Sequence, residues 1–240
     1  MINVKDIKIN RIDSKSANNF VKKHHYSGKF VQNSQLHFGA FYEDKLHGVL
    51  SYGPSIDKKK LIGLVEGTKW NEFIELNRMA FDDFLPKNSE SRCISITLKL
   101  IKKHCQHIKW VVSFADAMQC GSGTIYKACG FHLIGYSKGS MWLLPDELAK
   151  INGGPVAHRL KVQDKNSKLS KYILSETKGK NLTIENCVKQ FGGSMLPGYM
   201  FRYIFFLKKG LIENLNMPIL PYSTIDKLEA NMYKGEKMRL

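Results

Sequence analysis

The stretch that decides the fold is Lys109-Trp-Val-Val-Ser-Phe-Ala-Asp-Ala-Met-Gln-Cys-Gly-Ser-Gly-Thr-Ile-Tyr-Lys-Ala-Cys-Gly-Phe131. Its run from Trp110 to Phe114 is apolar, β-branched and aromatic, which predicts a short buried strand. A glycine-rich turn over 121–123 then opens a helix of about two turns. Open α/β sheets place their chemistry at the carboxyl ends of central strands. We therefore expect Asp116, at the strand end, and Tyr126, on the helix, to face one crevice.

The segments on either side extend this unit into a mixed sheet. Alternating apolar residues predict strands, and apolar residues at i, i+3, i+4 and i+7 predict helices. The resulting order is strand, helix, two hairpin strands, strand, helix, strand, helix and strand, at 5–12, 14–24, 36–42, 46–52, 70–81, 89–105, 110–114, 121–129 and 132–144. This order is typical of an α/β (α+β) fold with helices on both faces of a central mixed sheet.

The composition changes after this core. Between 155 and 180, seven positive residues accompany two acids. A short helix is predicted over 182–191 and an aromatic-rich strand over 199–207. We expect one domain with a catalytic core at 1–154, a basic insertion near the C-terminus at 155–198, and a last sheet strand and tail at 199–240.

Charge and cysteine content restrict the partners and the compartment. The net charge of +16 and the pI near 9.6 favour a polyanionic partner, nucleic acid before an anionic membrane. No apolar run is long enough to span a bilayer, and the first residues lack the pattern of a signal peptide. Five cysteines without Cys-x-x-Cys spacing indicate neither a disulfide scaffold nor a zinc finger. We expect a cytoplasmic protein.

Two basic segments are the candidates for contact with a DNA backbone. They contribute Lys58, Lys59 and Lys60 from one loop and Arg159, Lys161, Lys165 and Lys168 from the insertion. The alternative is that both are solvated charged loops. Aromatic residues near loop junctions could hold an unstacked base, and these are Tyr26, Phe30 and Tyr52.

The segment Tyr126-Lys-Ala-Cys-Gly-Phe131 resembles the Tyr-x-x-x-Gly-Phe signature of the GNAT (N-acetyltransferase) superfamily. Further motifs, in the same order, resemble the Mom family of bacteriophage DNA-modification proteins. They are His25-Tyr26, Glu75-Leu-Asn-Arg78, Pro86-Lys-Asn-Ser-Glu-Ser91, Ser113-Phe-Ala-Asp116 and Gly123-Thr-Ile-Tyr126. The resemblance implies a GNAT-like enzyme that converts adenine in double-stranded DNA to its N6-carbamoylmethyl derivative and so shields phage DNA from restriction.

The resemblance also implies a set of catalytic residues: Arg78, Asp116 and Tyr126, with Ser113, His25 and Tyr26. Adenine N6 is a poor nucleophile, so a base must remove its proton as the new bond forms, and Asp116 could do so. Tyr126 could protonate the leaving group. Because N6 is buried in the duplex, the adenine would have to be flipped out.

Each of these residues also has a structural interpretation. Asp116 could cap the following helix, Tyr126 could fill the core, and Arg78 could pair with Glu75 or Asp82. Ser113 could satisfy the backbone, and His25 could be a surface residue. His25, Tyr26 and Asp116 together have ligand types that could hold iron.

The donor of the transferred group would bind at two loops. The residues expected there are Lys87, Asn88, Ser89, Ser91, Gly121, Ser122 and Gly123. The superfamily implies a coenzyme A thioester such as acetyl-CoA, but Pro86-Lys-Asn-Ser-Glu-Ser91 lacks the glycines that usually cradle the donor pyrophosphate. An aminoacyl donor such as charged tRNA is the alternative. Two other functions stay open: N-acetyl transfer to a protein or small molecule, and DNA binding without catalysis.

Overall fold

The structure is a computed structural model that describes residues 2–118, 121–139, 141–196 and 198–228. Cys120 and the last twelve residues of the predicted tail lie outside the described residues. Within the described part of the chain, ten strands form two sheets. They are β1 Lys8–Arg11, β2 Leu36–Tyr42, β3 Lys45–Gly53, β4 Phe73–Phe81, β5 Trp110–Asp116, β6 His132–Lys138, β7 Met141–Leu143, β8 Val156–His158, β9 Ser194–Met195 and β10 Tyr199–Phe206.

The larger sheet has seven strands in the order β1-β2-β3-β4-β5-β10-β6. The pair β4–β5 is parallel and its other pairs are antiparallel. The β2–β3 hairpin turns through Glu43 and Asp44, whose positive φ angles of 47° and 59° fit a tight two-residue turn. The aromatic strand predicted near the C-terminus is β10, which lies between β5 and β6. The predicted mixed sheet is confirmed.

Helices cover both faces of this sheet. The helices of the described chain are α1 Ser14–His24, α2 Lys58–Leu61, α3 Ser89–His104, α4 Thr124–Ala128, α5 Asp146–Asn152, α6 Arg159–Gln163, α7 Lys168–Glu176, α8 Ile184–Phe191 and α9 Ser223–Lys227. Asp13 caps α1, and that helix packs on β3 and β4. In α3, Ile94, Leu98 and Ile101 are buried against the opposite face, as their helical spacing predicted. We call the two sides the α1 face and the α3 face.

The chain leaves the main sheet after β6. The strand predicted over 132–144 ends at Lys138, and Met141–Leu143 forms β7 in the second sheet, whose order is β8-β7-β9. Trp142 of β7 is fully buried in a separate core with residues of α7 and α8, including Leu169 and Cys187. Residues 141–196 therefore contain a second sheet with its own core, which we call the inserted unit, because β7 pairs with β8 and β9 and not with the main sheet.

No helix in the described ranges is long and apolar enough to cross a membrane.

Candidate functional site

The main sheet opens between β4 and β5. These strands pair only from Phe73 with Trp110 to Glu75 with Val112, although both continue further. Beyond that point β4 stays paired with β3, and β5 stays paired with β10. The facing backbone edges of 76–81 and 113–116 thus border a gap. Unpaired strand edges present polar groups that a ligand can engage, so this gap is the candidate site.

A bulge in β4 decides which side chains reach the α1 face of the gap. Ser51 pairs with Arg78 and Tyr52 with Leu76, so Asn77 is an extra residue in β4. With a side-chain period of two, Glu75 and Arg78 would lie on opposite faces. The bulge restores them to the same face.

Arg78 forms a partly buried cluster with the end of α1. Its Nε donates a hydrogen bond of 2.8 Å to the carbonyl oxygen of Lys29, and its Nη1 donates one of 2.7 Å to the carbonyl oxygen of Asn77. His25 and Tyr26 follow α1, with ring centroids 4.2 Å apart. Burial, reinforced by the charge of Arg78, lowers the pKa of His25 from 6.5 to about 4. His25 is therefore neutral at neutral pH.

Glu75 is the acid beside this cluster, and the sequence-based reasoning treated it only as an ion-pair partner. It is the last β4 residue that pairs with β5. Burial raises the pKa of Glu75, and the nearby polar side chains of Ser55 and Asn77 and the charge of Arg78 oppose this rise. The other proposed partner of Arg78, Asp82, instead lies 2.9 Å from His47 Nδ1. A carboxylate with a raised pKa beside a gap is a candidate for proton transfer.

Asp116 lies at the far end of the gap and is 6% exposed. Its Oδ1 accepts a hydrogen bond of 3.0 Å from the backbone N–H of Met118. This bond holds the turn that follows β5 and does not cap the following helix, because the N-cap of α4 is Gly123. Arg78 donates its hydrogen bonds to the carbonyl oxygens of Lys29 and Asn77.

Ser113 and Tyr126 lie on the α3 face. Ser113 is fully buried, and its hydroxyl points at the carbonyl oxygen of Leu76 across the gap, at 3.5 Å. Tyr126 is 8% exposed and packs against Tyr203, with ring centroids 5.1 Å apart. Asp116, two residues beyond Phe114 in the strand, points to the α1 face. Asp116 and Tyr126 were expected to face one crevice. This expectation is wrong, because the two side chains lie on opposite faces of the main sheet.

The residues expected to hold the donor surround the first turn of α3. Asn88 adopts a left-handed conformation with φ of 70°. The hydroxyl of Ser89 donates to the carbonyl oxygen of Pro86 at 2.6 Å, and that of Ser91 donates to the carbonyl oxygen of Asn88 at 3.1 Å. Both hydroxyl groups therefore donate their protons within the turn and not to a ligand. Lys87 is exposed, so it and the backbone N–H groups are the donors left for an anion.

The second loop, 121–123, is built around Tyr203. The Tyr203 hydroxyl donates to the carbonyl oxygen of Ser122. A Cβ on Gly123 would lie 2.5 Å from the Tyr203 ring, and Gly123 has φ of 91°. Gly121 has φ of 97°. Ring packing and backbone conformation account for these glycines without a bound donor.

The predicted DNA-contacting cations divide into exposed and anchored residues. Lys59 and Lys60 are exposed, whereas Lys58 Nζ lies 4.8 Å from the centroid of the Trp70 ring. In the insertion, Lys161 Nζ donates to the carbonyl oxygen of Asn152 at 2.8 Å. Of the other predicted contacts there, Arg159, Lys165 and Lys168 are exposed. Lys161 therefore stabilises the inserted unit, and the exposed residues are free to contact a polyanion.

Two further expectations can be compared with the structure. Tyr52 is fully buried, with its hydroxyl 2.6 Å from that of Thr97, so it cannot hold an unstacked base. Tyr26 is 47% exposed and keeps that possibility. The iron site is not supported: the described residues contain no group of three or more His, Cys, Asp and Glu side chains that could hold a metal ion, and His25 faces the cation of Arg78.

Comparison with solved structures finds acetyltransferases. An acetyltransferase of Bacillus subtilis in complex with CoA has a TM-score of 0.46 and 10% identity, over 84% of this chain and 99% of that chain. An IAA acetyltransferase of Bacillus cereus has a TM-score of 0.41 and 11% identity, over 83% of this chain and 99% of that chain.

Comparison of sequences gives a family. A protein named methylcarbamoylase Mom, from Escherichia phage Mu, is 38% identical over 144 residues. The alignment covers 60% of this chain and 59% of that protein, so the chain spans about three fifths of the relative's length. The profile of the Mom protein family matches residues 6–224. This match confirms the resemblance that the motifs indicated: the chain belongs to the Mom protein family.

Proposed function

We propose that this chain transfers a carbamoylmethyl (acetamido) group to N6 of adenine in double-stranded DNA, after flipping the base out of the helix. The observation that carries the proposal is the gap between β4 and β5, with a buried acid and an arginine on one face and a serine and a tyrosine on the other. It occurs in a family whose phage Mu relative is named a methylcarbamoylase. The reaction would protect phage DNA from restriction in the bacterial cytoplasm.

The gap fits a transfer between two substrates on opposite sides of a sheet. The bond from N6 to the carbon of the transferred group forms as the bond from that carbon to the donor's leaving group breaks. The N6 proton goes to a carboxylate on the α1 face, Asp116 or Glu75, and the leaving group takes the electron pair and a proton from Tyr126. Arg78 stabilises the developing charge, with Ser113 at the rim of the gap.

The remaining residues bind the two substrates. We propose that His25 and Tyr26 contact the DNA beside the flipped base, and that the exposed cations of α2 and of the insertion bind the phosphates. The donor would bind at the first turn of α3 through Lys87 and the backbone of 88–91, with 121–123 nearby. The carbamoylmethyl product needs a donor whose leaving group is attached to the methylene carbon of the acetamido group. A coenzyme A thioester and an aminoacyl-tRNA are activated at their carbonyl carbon, so direct transfer from either would instead join a carbonyl carbon to N6.

The test is mass spectrometry of nucleosides from DNA of cells that express the chain. We expect a modified deoxyadenosine in cells that express the unaltered protein. The variant that removes the proton acceptor, Asp116→Asn or Glu75→Gln, should no longer produce it. General-base loss typically costs 10²–10⁴-fold. Asp44→Asn in the β2–β3 turn is the matched control, since asparagine tolerates the left-handed conformation found there.

An unmodified adenosine profile with soluble protein and both donors present would contradict the proposal. If the same cells instead showed a newly acetylated protein or metabolite, the ordinary N-acetyltransferase function would replace it.

A further inference from the structure

A cavity of about 760 Å³ opens at the amino ends of β4 and β5. Four segments that are remote in sequence line it, at 33–35, 54–59, 70–74 and 107–108. Its volume is in the range of small-molecule binding sites. None of the catalytic residues that the sequence indicated lies in its wall.

The outer wall of the cavity carries an exposed aromatic platform. Trp70 is 50% exposed, whereas Trp110 and Trp142 are fully buried. Ile56, on the same wall, is 78% exposed. Lys58 Nζ lies over the Trp70 ring, and burial lowers the pKa of Lys58. An indole face with an ammonium group beside it suits a ligand that is both planar and anionic.

Polar side chains contribute to the wall of the cavity. Asn33, Gln35 and Asn71 line it with exposed side-chain amides, and each amide offers a donor and an acceptor. The Ser55 hydroxyl is buried, and its oxygen has no partner at hydrogen-bond distance among these residues. A buried hydroxyl of this kind is costly unless a ligand satisfies it.

The charges of the cavity favour an anion. Lys58 and Lys59 contribute two cations, and His107 is a further basic side chain. The acid in the lining is Asp57, whose carboxylate lies 3.6 Å from Lys60 Nζ. The cavity thus combines an aromatic surface on which a base can stack, amides that can hydrogen-bond to the edge of a base, and positive charge that can bind a phosphate.

We propose that this cavity receives the extruded adenine nucleotide of the DNA substrate, with the base stacked on Trp70 and its polar edge read by the amides. The proposal rests on the function proposed above and names the place of the target base. The position of the cavity favours DNA over the nucleotide part of a coenzyme A donor as its ligand. The expected donor loops follow β4 at its carboxyl end, nine residues or about 25 Å along the strand from the cavity.

The inner wall of the cavity leads to the closed end of the gap. Ser55 lines the cavity and is near enough to Glu75 to oppose the rise of its pKa, and Glu75 is the last residue of β4 that pairs with β5. Asp116 lies four residues beyond the last paired residue of β5, Val112, which is about 13 Å along the strand. A base in the cavity would therefore present its amine to Glu75 and not to Asp116.

The test measures binding of the full chain to labelled duplexes without any donor. One duplex has an adenine opposite an abasic site, which is cheap to extrude, and the other is fully paired. We expect the first to bind about tenfold more tightly, and Trp70→Ala to abolish this preference. Phe84→Ala is the matched control, because Phe84 is 52% exposed and lies outside the cavity. It should keep the preference.

Tryptophan emission provides a second readout. Since Trp110 and Trp142 are buried, a change in emission on adding DNA reports on Trp70. No change, or a base preference that survives Trp70→Ala, would overturn the proposal. Coenzyme A that alters this emission and displaces the duplex would assign the cavity to the donor and also overturn it.

The binding assay separates this proposal from the proposed reaction. A Trp70-dependent preference in a protein that leaves adenine unmodified would support the cavity and contradict the reaction. Modified DNA without that preference would support the reaction and contradict the cavity.

Discussion

Protonation of His25 should destabilise the fold by ~3 kcal/mol. The ring Nδ1 accepts a hydrogen bond of 3.1 Å from the backbone N–H of Ser27, so a proton there would break this bond. Burial and, to a smaller extent, the neighbouring Arg78 cation also oppose the charge, and they lower the pKa of His25 from 6.5 to about 4. A pKa difference of one corresponds to about 1.4 kcal/mol, so the lowered pKa of His25 corresponds to ~3 kcal/mol of unfolding free energy.

The sign of the effect follows from where the proton binds. In the unfolded chain His25 takes up a proton as the pH falls through 6.5, whereas the folded protein resists until about 4. The free energy of unfolding should therefore be unaffected by His25 above pH 6.5 and fall progressively between 6.5 and 4.

The assay compares urea unfolding of the unaltered protein and His25→Gln across this pH range. Other titrating groups contribute equally to both proteins, so the difference isolates His25. We expect the unaltered protein to lose up to ~3 kcal/mol more than the variant as the pH approaches 4. Parallel curves would refute the reasoning, because His25 would then titrate alike in the folded and unfolded chains.

Two further predictions concern packing and charge. Gly123→Ala should lower the free energy of unfolding by about 1–3 kcal/mol, because its Cβ would collide with the Tyr203 ring at a positive φ angle. Gly63→Ala, where no atom lies within 4 Å, is the control, and equal effects in urea unfolding would contradict the packing argument. Replacing Lys165 and Lys168 by Gln should weaken binding to any duplex and reduce the slope of log affinity against log salt by about 1 for each lysine. An unchanged slope would show that the exposed insertion does not contact phosphates.

The elements that local sequence specifies were predictable. The helical spacing of Ile94, Leu98 and Ile101 located α3 and its buried face, and alternation located the β2–β3 hairpin. The break after β6 was missed because apolar residues resume at Met141 after the polar stretch 137–140, and the two apolar segments were joined into one strand. Period-two patterning identifies a strand, but the sheet that the strand joins depends on distant partners.

The site was predictable only in part. Arg78 and Asp116 were correctly located near the carboxyl ends of β4 and β5, because sequence order fixes strand ends. Their surroundings were not, since one bulged residue, Asn77, sets the face to which Glu75 and Arg78 point. The cavity was also invisible, because its walls come from four separate segments.

The gap between β4 and β5 explains how side chains on opposite faces of one sheet can serve one reaction. A continuous ladder would separate Tyr126 on the α3 face from Glu75 on the α1 face by a layer of paired backbone. Here the ladder stops at Glu75, and Ser113 stands on the opposite rim. A donor held on the α3 face could then pass its reactive carbon through the sheet to a base held on the α1 face. The reaction that we propose thus requires that β4 and β5 stay unpaired beyond Glu75.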